Sequence, residues 1–212
     1  LEAAREAADL LGVPLTEVAL EHETLEAAVP QVARATGRHN AMDVSIALPL
    51  YCLAEVAAAD GHRRLAVGQG ADELFGGYAK VAAAPEDPRV EADSVRGARR
   101  ELVEALPAQL ARDVLAIRAG GLEPVRPLLQ GDVVQAALSL PGESIVGPAG
   151  ERKRALRRAA RPWLPDRIAF REKKALQYGS LVSRELDRLA RQAGFKRRRP
   201  DHVSEYVAST LE

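Results

Sequence analysis

One short segment limits the folds that this chain can adopt more than any other. An apolar run from Arg64 to Val67 is bounded by glycines and passes directly into Gly68 to Tyr78, which reads Gly-Gln-Gly-Ala-Asp-Glu-Leu-Phe-Gly-Gly-Tyr. Such a run predicts a buried β-strand that feeds a glycine-rich loop. In open parallel sheets ligands bind at the carboxyl ends of the strands, so this loop is a candidate binding loop.

The residues before this strand predict an alternation of helices and strands. A helix is predicted over Leu1 to Leu11, where apolar and small residues recur at helical spacing before Gly12. A short strand is predicted over Leu15 to Leu20. A second helix, capped by Asp43, is predicted to run to Gly61, because its apolar positions lie three or four residues apart. This order indicates an α/β fold with a parallel sheet.

The sequence changes in character beyond Pro88. Alanine, arginine, glutamate and leucine dominate there, no further strand is predicted, and prolines divide the chain into short helices. We therefore expect an α/β part over residues 1–87 and a mainly helical lobe over residues 88–212, both within one domain.

Composition excludes several classes of function. Basic and acidic residues both number 30, so the net charge does not favour nucleic acid or a membrane surface as a partner. The single Cys52 excludes an internal disulfide, and the histidines lie too far apart for a zinc site. We found no apolar run of about 18 residues that predicts a membrane span, and we expect a cytoplasmic protein.

The loop after the strand contains residues suited to phosphate chemistry. Gly68 and Gly70 allow the backbone to approach a ligand closely. The adjacent carboxylates of Asp72 and Glu73 are suited to hold a magnesium ion that bridges phosphate oxygens. A glycine-rich turn with a helix-capping aspartate is the alternative, and a short Gly-x-Gly alone would favour it. Two carboxylates followed by Gly-Gly and an aromatic residue form a much rarer string.

The run from Gly68 to Tyr78 closely resembles the signature of the asparagine synthetase family, which includes the β-lactam and carbapenam synthetases. The resemblance continues over Met42 to Pro49, over Glu123 to Leu129, over the Lys-x-x-Leu-Arg element at Lys153 to Arg157, and over the Arg-x-Lys element at Arg171 to Lys173. It implies an ATP pyrophosphatase fold of the adenine-nucleotide α-hydrolase type. It also implies a ligase of amino-acid biosynthesis that converts ATP and a carboxylate, most simply aspartate, into an acyl-adenylate for attack by an amine.

The same resemblance implies roles for individual residues. Asp72 becomes a ligand of magnesium and pyrophosphate, with Glu73 as its neighbour. Val67, Gly68 and Gly70 lie beside the nucleotide. Lys173 matches the lysine that stabilises charge on the reacting phosphates, whereas Lys153 receives no role and Arg157 is interpreted as structural.

Three departures from the family pattern affect the expected activity. The Ser-Gly-Gly-x-Asp-Ser phosphate loop and its strand do not occur, and we expect them upstream. Gln69 replaces an acidic residue that would help to orient or deprotonate the amine, because an amide cannot accept a proton. Gln130 replaces an acid, with Asp132 close by. Apart from these three departures, no N-terminal cysteine is present for glutamine hydrolysis, so we expect ammonia to arrive free or from a separate glutaminase.

Two other interpretations remain open. The chain could be another ATP pyrophosphatase that acts on a different carboxylate or on a nucleobase. It could also be a non-catalytic relative that binds a nucleotide or a partner, which Gln69 favours. The sequence does not distinguish a monomer from a homodimer.

Overall fold

The computed structural model describes residues 2–84, 94–172, 179–198 and 201–211. Its helices before the sheet are α1 (Glu2–Leu11), α2 (His22–Thr36) and α3 (Ala41–Ala59), followed by strand β1 (Arg64–Ala66). Next come α4 (Ala71–Phe75), α5 (Ala79–Ala83), α6 (Val95–Ala119) and strand β2 (Glu123–Val125). The remaining helices are α7 (Gly131–Ser139), α8 (Gly142–Ile145), α9 (Arg154–Ala160), α10 (Asp166–Ala169), α11 (Val182–Gln192) and α12 (His202–Ser209). Two 3₁₀ turns lie at Pro127–Leu129 and Pro148–Gly150.

The chain divides into two compact units, each assembled from three stretches of sequence. The first unit contains Leu1–Glu17, Val67–Pro107 and Arg126–Lys173, and the second contains Val18–Ala66, Ala108–Val125 and Lys174–Glu212. The boundary that we expected between residues 87 and 88 lies outside the described residues, so the division into two lobes at that point stays a prediction.

The second unit has one apolar core formed by α2, α3, α11, α12 and the last turns of α6. Helices α2 and α3 each contribute five buried residues to it, and Val44, Ala47 and Leu48 of helix α3 are fully buried. This helix is apolar around most of its circumference, as expected of a core helix. Within the described residues it is the one helix long and apolar enough to cross a membrane, so the prediction that no apolar run of this length occurs was wrong. A core helix meets the same criteria of length and composition.

An ion-pair network ties α6 to the start of α3. Arg112 lies 2.7 Å from Asp43 and 2.7 Å from Asp113, with only 7% of its side chain exposed. Burial opposes ionisation of Asp43, but hydrogen bonds from Asn40 and Arg112 outweigh burial and hold the pKa of this carboxyl below its usual range. The predicted cap at Asp43 was wrong. The N-cap is Asn40, whose side chain accepts a hydrogen bond from the Asp43 backbone N–H, and the helix begins three residues earlier than expected.

The sheet of the described residues contains two parallel strands. β1 pairs with β2 in the register Leu65 to Pro124, which is compatible with an α/β fold, although the sheet of the described residues has only two strands. β1 lies where the sequence predicted a strand, yet Arg64 and Ala66 are exposed and Leu65 is half-buried, so the prediction of a buried strand was wrong. β2 was not predicted, because Pro124 removes a ladder hydrogen bond and reads as a strand breaker.

The predicted strand over Leu15 to Leu20 was also wrong. These residues form no regular element, and 42% of Leu15 is exposed. The segment pairs with neither described strand, so its backbone has no ladder to join. The predicted first helix is confirmed as α1, and Gly12 at φ 62° follows its last residue.

The first unit has two apolar clusters that hold the glycine-rich loop in place. Leu74 and Phe75 of α4 pack with Ala137 of α7, and flanking apolar side chains include Leu129 and Leu156. A second cluster joins Val81 and Ala84 to the beginning of α6. Short helices therefore surround the loop on both sides, which agrees with the prediction of a mainly helical composition after residue 88.

Candidate functional site

The loop Gly68 to Tyr78 begins two residues after the end of β1 and includes the short helix α4. Gly70 and Gly76 flank this helix at φ 89° and 71°, in the left-handed region that favours glycine. A Cβ on Gly76 would lie 2.5 Å from a methyl carbon of Ile145, and one on Gly70 would clash with Leu129. Both glycines are therefore required for backbone conformation and for close packing.

Asp72 in this loop forms an ion pair with Lys153. The Lys153 Nζ atom lies 2.8 Å from Asp72 Oδ1, and 17% and 23% of the two side chains are exposed. Gly77 makes this contact possible, because a Cβ at that position would overlap the Asp72 carboxylate and lie 2.5 Å from Lys153 Cε. The second glycine of the Gly-Gly pair thus leaves the space in which the ion pair forms.

The backbone of Lys153 is in an unfavourable conformation. Its φ of 57° and ψ of 32° are left-handed, which costs a residue with a Cβ roughly 1–2 kcal/mol. Strain of this kind is often concentrated at functional positions. Sequence reasoning assigned Lys153 no role. The only available signal was its place at the start of the Lys-x-x-Leu-Arg element.

Glu73 points to a different partner. It is 5% exposed, and its Oε1 accepts a hydrogen bond of 2.7 Å from the Tyr78 hydroxyl. This bond joins the middle of the loop to its last residue, so Glu73 has a clear structural function here. The structure does not bring Asp72 and Glu73 together as a pair of metal-binding carboxylates, and their assignment as metal ligands stays a prediction.

The loop that follows β2 meets the loop that follows β1. Pro127–Leu129 form a 3₁₀ turn directly after β2, and Leu129 packs against Gly70 and Leu74. Gln130 then precedes α7, and Asp132 is exposed in the first turn of that helix. The carboxyl ends of the two parallel strands therefore lead into adjoining segments of the first unit.

The remaining predicted site residues lie along the same loop, with one exception. Val67 and Gln69 are half-buried, Gly68 is exposed, and Gly70 is buried. A Cβ on Gly68 would meet no atom within 4 Å, so the structure shows open space beside the position expected to face the nucleotide. Lys173 lies outside the described residues.

A magnesium ion would rely on few protein ligands at this site. The described residues contain no group of three or more His, Cys, Asp or Glu side chains that could hold a metal. Magnesium bound with phosphates commonly uses one or two carboxylates, phosphate oxygens and water. The partly exposed Asp72 fits that requirement, whereas the buried Glu73 carboxylate does not in this arrangement.

Comparisons with known proteins agree on one family. The family model described as "Asparagine synthase" matches residues 1–97 and 82–209. The chain is 32% identical to the putative asparagine synthetase [glutamine-hydrolyzing] 1 of Methanocaldococcus jannaschii over 89% of its own length and 40% of that protein. It is 28% identical to asparagine synthetase [glutamine-hydrolyzing] 1 of Saccharomyces cerevisiae and 26% identical to asparagine synthetase B [glutamine-hydrolyzing] of Escherichia coli. In both comparisons it covers 84% of itself and 32% of the relative, so the chain spans well under half of these proteins.

Proposed function

The chain belongs to the asparagine synthase family, and we propose that it is the part of an AMP-forming amide ligase that binds pyrophosphate. In the proposed reaction a carboxylate oxygen attacks the α-phosphorus of ATP, which releases pyrophosphate and leaves an acyl-adenylate. An amine then attacks the acyl carbon and AMP departs. We propose aspartate as the carboxylate, by analogy with the named relatives, and a fold of the adenine-nucleotide α-hydrolase type.

The observation that carries the proposal is the ion pair between Asp72, in the loop that follows β1, and Lys153, which precedes α9. An acid and a cation 2.8 Å apart, both partly exposed, offer complementary groups to a metal–pyrophosphate complex. The Lys153 ammonium is a compact charge that suits phosphate oxygens. The strained backbone of Lys153 supports a functional interpretation, because a lysine that served only stability would gain from a relaxed conformation.

Magnesium, when bound, would offset the negative charge that gathers on the departing pyrophosphate. Asp72 is the residue that we propose holds it. The protein's own contribution is to fix the Asp72 carboxylate, which the ion pair and the space left by Gly77 achieve before any ligand arrives. Groups that are already oriented for the charge of the transition state need no reorganisation during the reaction.

The second half of the reaction depends on how the amine is presented. Gln69 can orient an amine by hydrogen bonding, but an amide cannot take up its proton. We therefore propose that adenylate formation is efficient and that amide formation is the slower step. The relatives are named glutamine-hydrolyzing, and we propose glutamine-derived ammonia as the amine.

The test is pyrophosphate release by the full-length gene product, measured with ATP, magnesium and a panel of amino acids. Aspartate should give the largest rate. Asp72→Asn should abolish release at ordinary magnesium concentration, because it removes an anionic ligand from a cation that prefers charged oxygens. Asp9→Asn, which changes an exposed aspartate in α1 of the same unit, is the matched control and should have little effect.

Other outcomes would favour the alternatives. Release with a different carboxylate or with a nucleobase would identify another ATP pyrophosphatase. Nucleotide binding without release would indicate a non-catalytic relative. Equal rates for Asp72→Asn and the wild-type protein would contradict the assignment of this aspartate.

A further inference from the structure

Arg157 in α9 uses its side chain to join two segments of the first unit. Its Nε atom donates to the Arg152 carbonyl at 2.8 Å, on the segment that precedes Lys153. Its Nη1 atom donates to the Ala169 carbonyl at 2.8 Å and to the Arg171 carbonyl at 3.0 Å. One rigid guanidinium thus holds backbone atoms on both sides of α9.

The Arg152 side of this link reaches the glycine-rich loop. The Arg152 Nη1 atom donates to the Gly77 carbonyl at 3.0 Å, next to the space in which Asp72 and Lys153 meet. The backbone of Arg152 also forms an isolated antiparallel bridge with Val146. The segment around Arg152 is therefore fixed both to the loop and to Arg157.

The other side of the link leads towards Lys173. Arg171 stands two residues before Lys173 in the sequence, and its carbonyl is one of the three acceptors of Arg157. The Arg171 side chain is held separately, by the Ala3 carbonyl at 2.6 Å and by the carboxylate of Glu6. The backbone at residue 171 is therefore anchored to α9, and its side chain is anchored to α1.

The chemistry of Arg157 suits an organising role. Within the described residues its guanidinium contacts carbonyl oxygens and no carboxylate, so no ion pair accounts for its presence. A half-buried arginine with three backbone acceptors supplies a fork of fixed geometry that a lysine cannot reproduce. Arg157 therefore fixes the positions of these three carbonyls relative to one another.

We propose that Arg157 is a positioning residue that fixes the segment that carries Lys153 against the turn at residues 169–171, and thereby sets the rate of adenylation. This inference rests on the proposed function, since Lys153 acts on phosphate there. Small displacements of a catalytic group can cost about 10²-fold in rate, even when the altered residue does not touch substrate.

The test compares Arg157→Lys with Arg158→Lys in the full-length gene product. Arg158 is the exposed neighbour in the same helix and provides a matched control. We expect Arg157→Lys to lower the kcat for pyrophosphate release by about 10²-fold with little change in the KM for ATP. Arg158→Lys should leave both parameters unchanged.

Hydrogen exchange provides a measurement that does not depend on activity. Amides of residues 169–171 should exchange about tenfold faster in Arg157→Lys, because the turn loses hydrogen bonds to its carbonyls. Amides of α2, in the other unit, should keep the wild-type rate. If Arg157→Lys does not fold, Arg157→Gln, which keeps a planar donor of shorter reach, takes its place in both measurements.

The outcomes separate this inference from the proposed function. A wild-type rate in Arg157→Lys would overturn the positioning role, even if exchange became faster, because Arg157 would then serve stability alone. Unchanged exchange would overturn the link itself. If the wild-type protein releases no pyrophosphate, the proposed function fails, and the link is decided by the exchange rates of residues 169–171.

Discussion

Replacing Lys153 with glycine separates the contribution of this residue to stability from its contribution to chemistry. The left-handed backbone at φ 57° costs a lysine roughly 1–2 kcal/mol, and glycine adopts this conformation without that cost. Against this gain, glycine makes the unfolded chain more flexible, which lowers the free energy of unfolding by about 0.4–1 kcal/mol. The relief of strain therefore exceeds the loss by roughly 0.5–1 kcal/mol.

The lost ion pair is the remaining term. Removing one partner from a fully buried pair costs about 3–5 kcal/mol, whereas an exposed pair contributes about 0–1 kcal/mol. With 23% of its side chain exposed, Asp72 can be hydrated when Lys153 is absent, so a cost of about 1 kcal/mol is the appropriate scale. We expect Lys153→Gly to change the free energy of unfolding by no more than about 1 kcal/mol, or the Tm by about 2–4 °C.

Activity should respond very differently. If the Lys153 ammonium acts on the departing pyrophosphate, Lys153→Gly should slow release by about 10²- to 10³-fold, the usual cost of removing one such group. Lys153→Ala is the comparison. It should be as inactive as the glycine variant but less stable by about 1 kcal/mol, because alanine keeps the strained backbone.

The assays are thermal unfolding and pyrophosphate release on the same preparations. A loss of 3 kcal/mol or more in Lys153→Gly would show that the ion pair is chiefly structural. Activity close to wild type in either variant would refute the proposed contact with pyrophosphate. Equal stability of the glycine and alanine variants would refute the strain assigned to Lys153.

Three further predictions test other parts of the account. Lys173→Ala should slow adenylation by about 10²-fold or more while leaving ATP binding nearly intact, and a larger effect of Lys174→Ala in the same rate assay would show that the wrong lysine was assigned. Gln69→Glu should increase amide formation without changing pyrophosphate release, when both products are followed across pH; no gain would show that Gln69 is no deficit. Hydrogen bonds from Arg197 and neighbouring donors hold the pKa of Asp187 well below its usual range. The stability that ionised Asp187 gives to the folded protein is therefore fully present above about pH 4 and is lost as the pH falls further. Acid unfolding of Asp187→Asn should lack that part of the pH dependence.

The sequence predicted the elements whose signals are local. β1 was found because an apolar run between glycines has few other interpretations, and α1 was found because its spacing and its terminal glycine agree. β2 was missed because Glu-Pro-Val has no strand character of its own, and only pairing with β1 makes it a strand. The strand predicted over Leu15 to Leu20 was wrong for the opposite reason, because apolar residues without a partner strand do not form a sheet.

The candidate site shows the same limit. The glycine-rich loop could be located from its string alone, but the partner of Asp72 is 81 residues away in the sequence and no spacing rule connects them. The burial of Glu73 against Tyr78 was equally hidden, because adjacent carboxylates on a loop need not face the same way. Gly77 reads as a flexible residue in the sequence, whereas the structure shows that it provides space for an ion pair.

The most direct test of the central claim is isotope transfer from substrate to product. Aspartate labelled with ¹⁸O in its side-chain carboxylate is incubated with ATP, magnesium and ammonia in the presence of the full-length gene product, and the nucleotide is analysed by mass spectrometry. If the carboxylate attacks the α-phosphorus, the AMP formed must carry one ¹⁸O atom per molecule of amide, and pyrophosphate must remain unlabelled. Unlabelled AMP, or formation of ADP with labelled inorganic phosphate, would contradict the account.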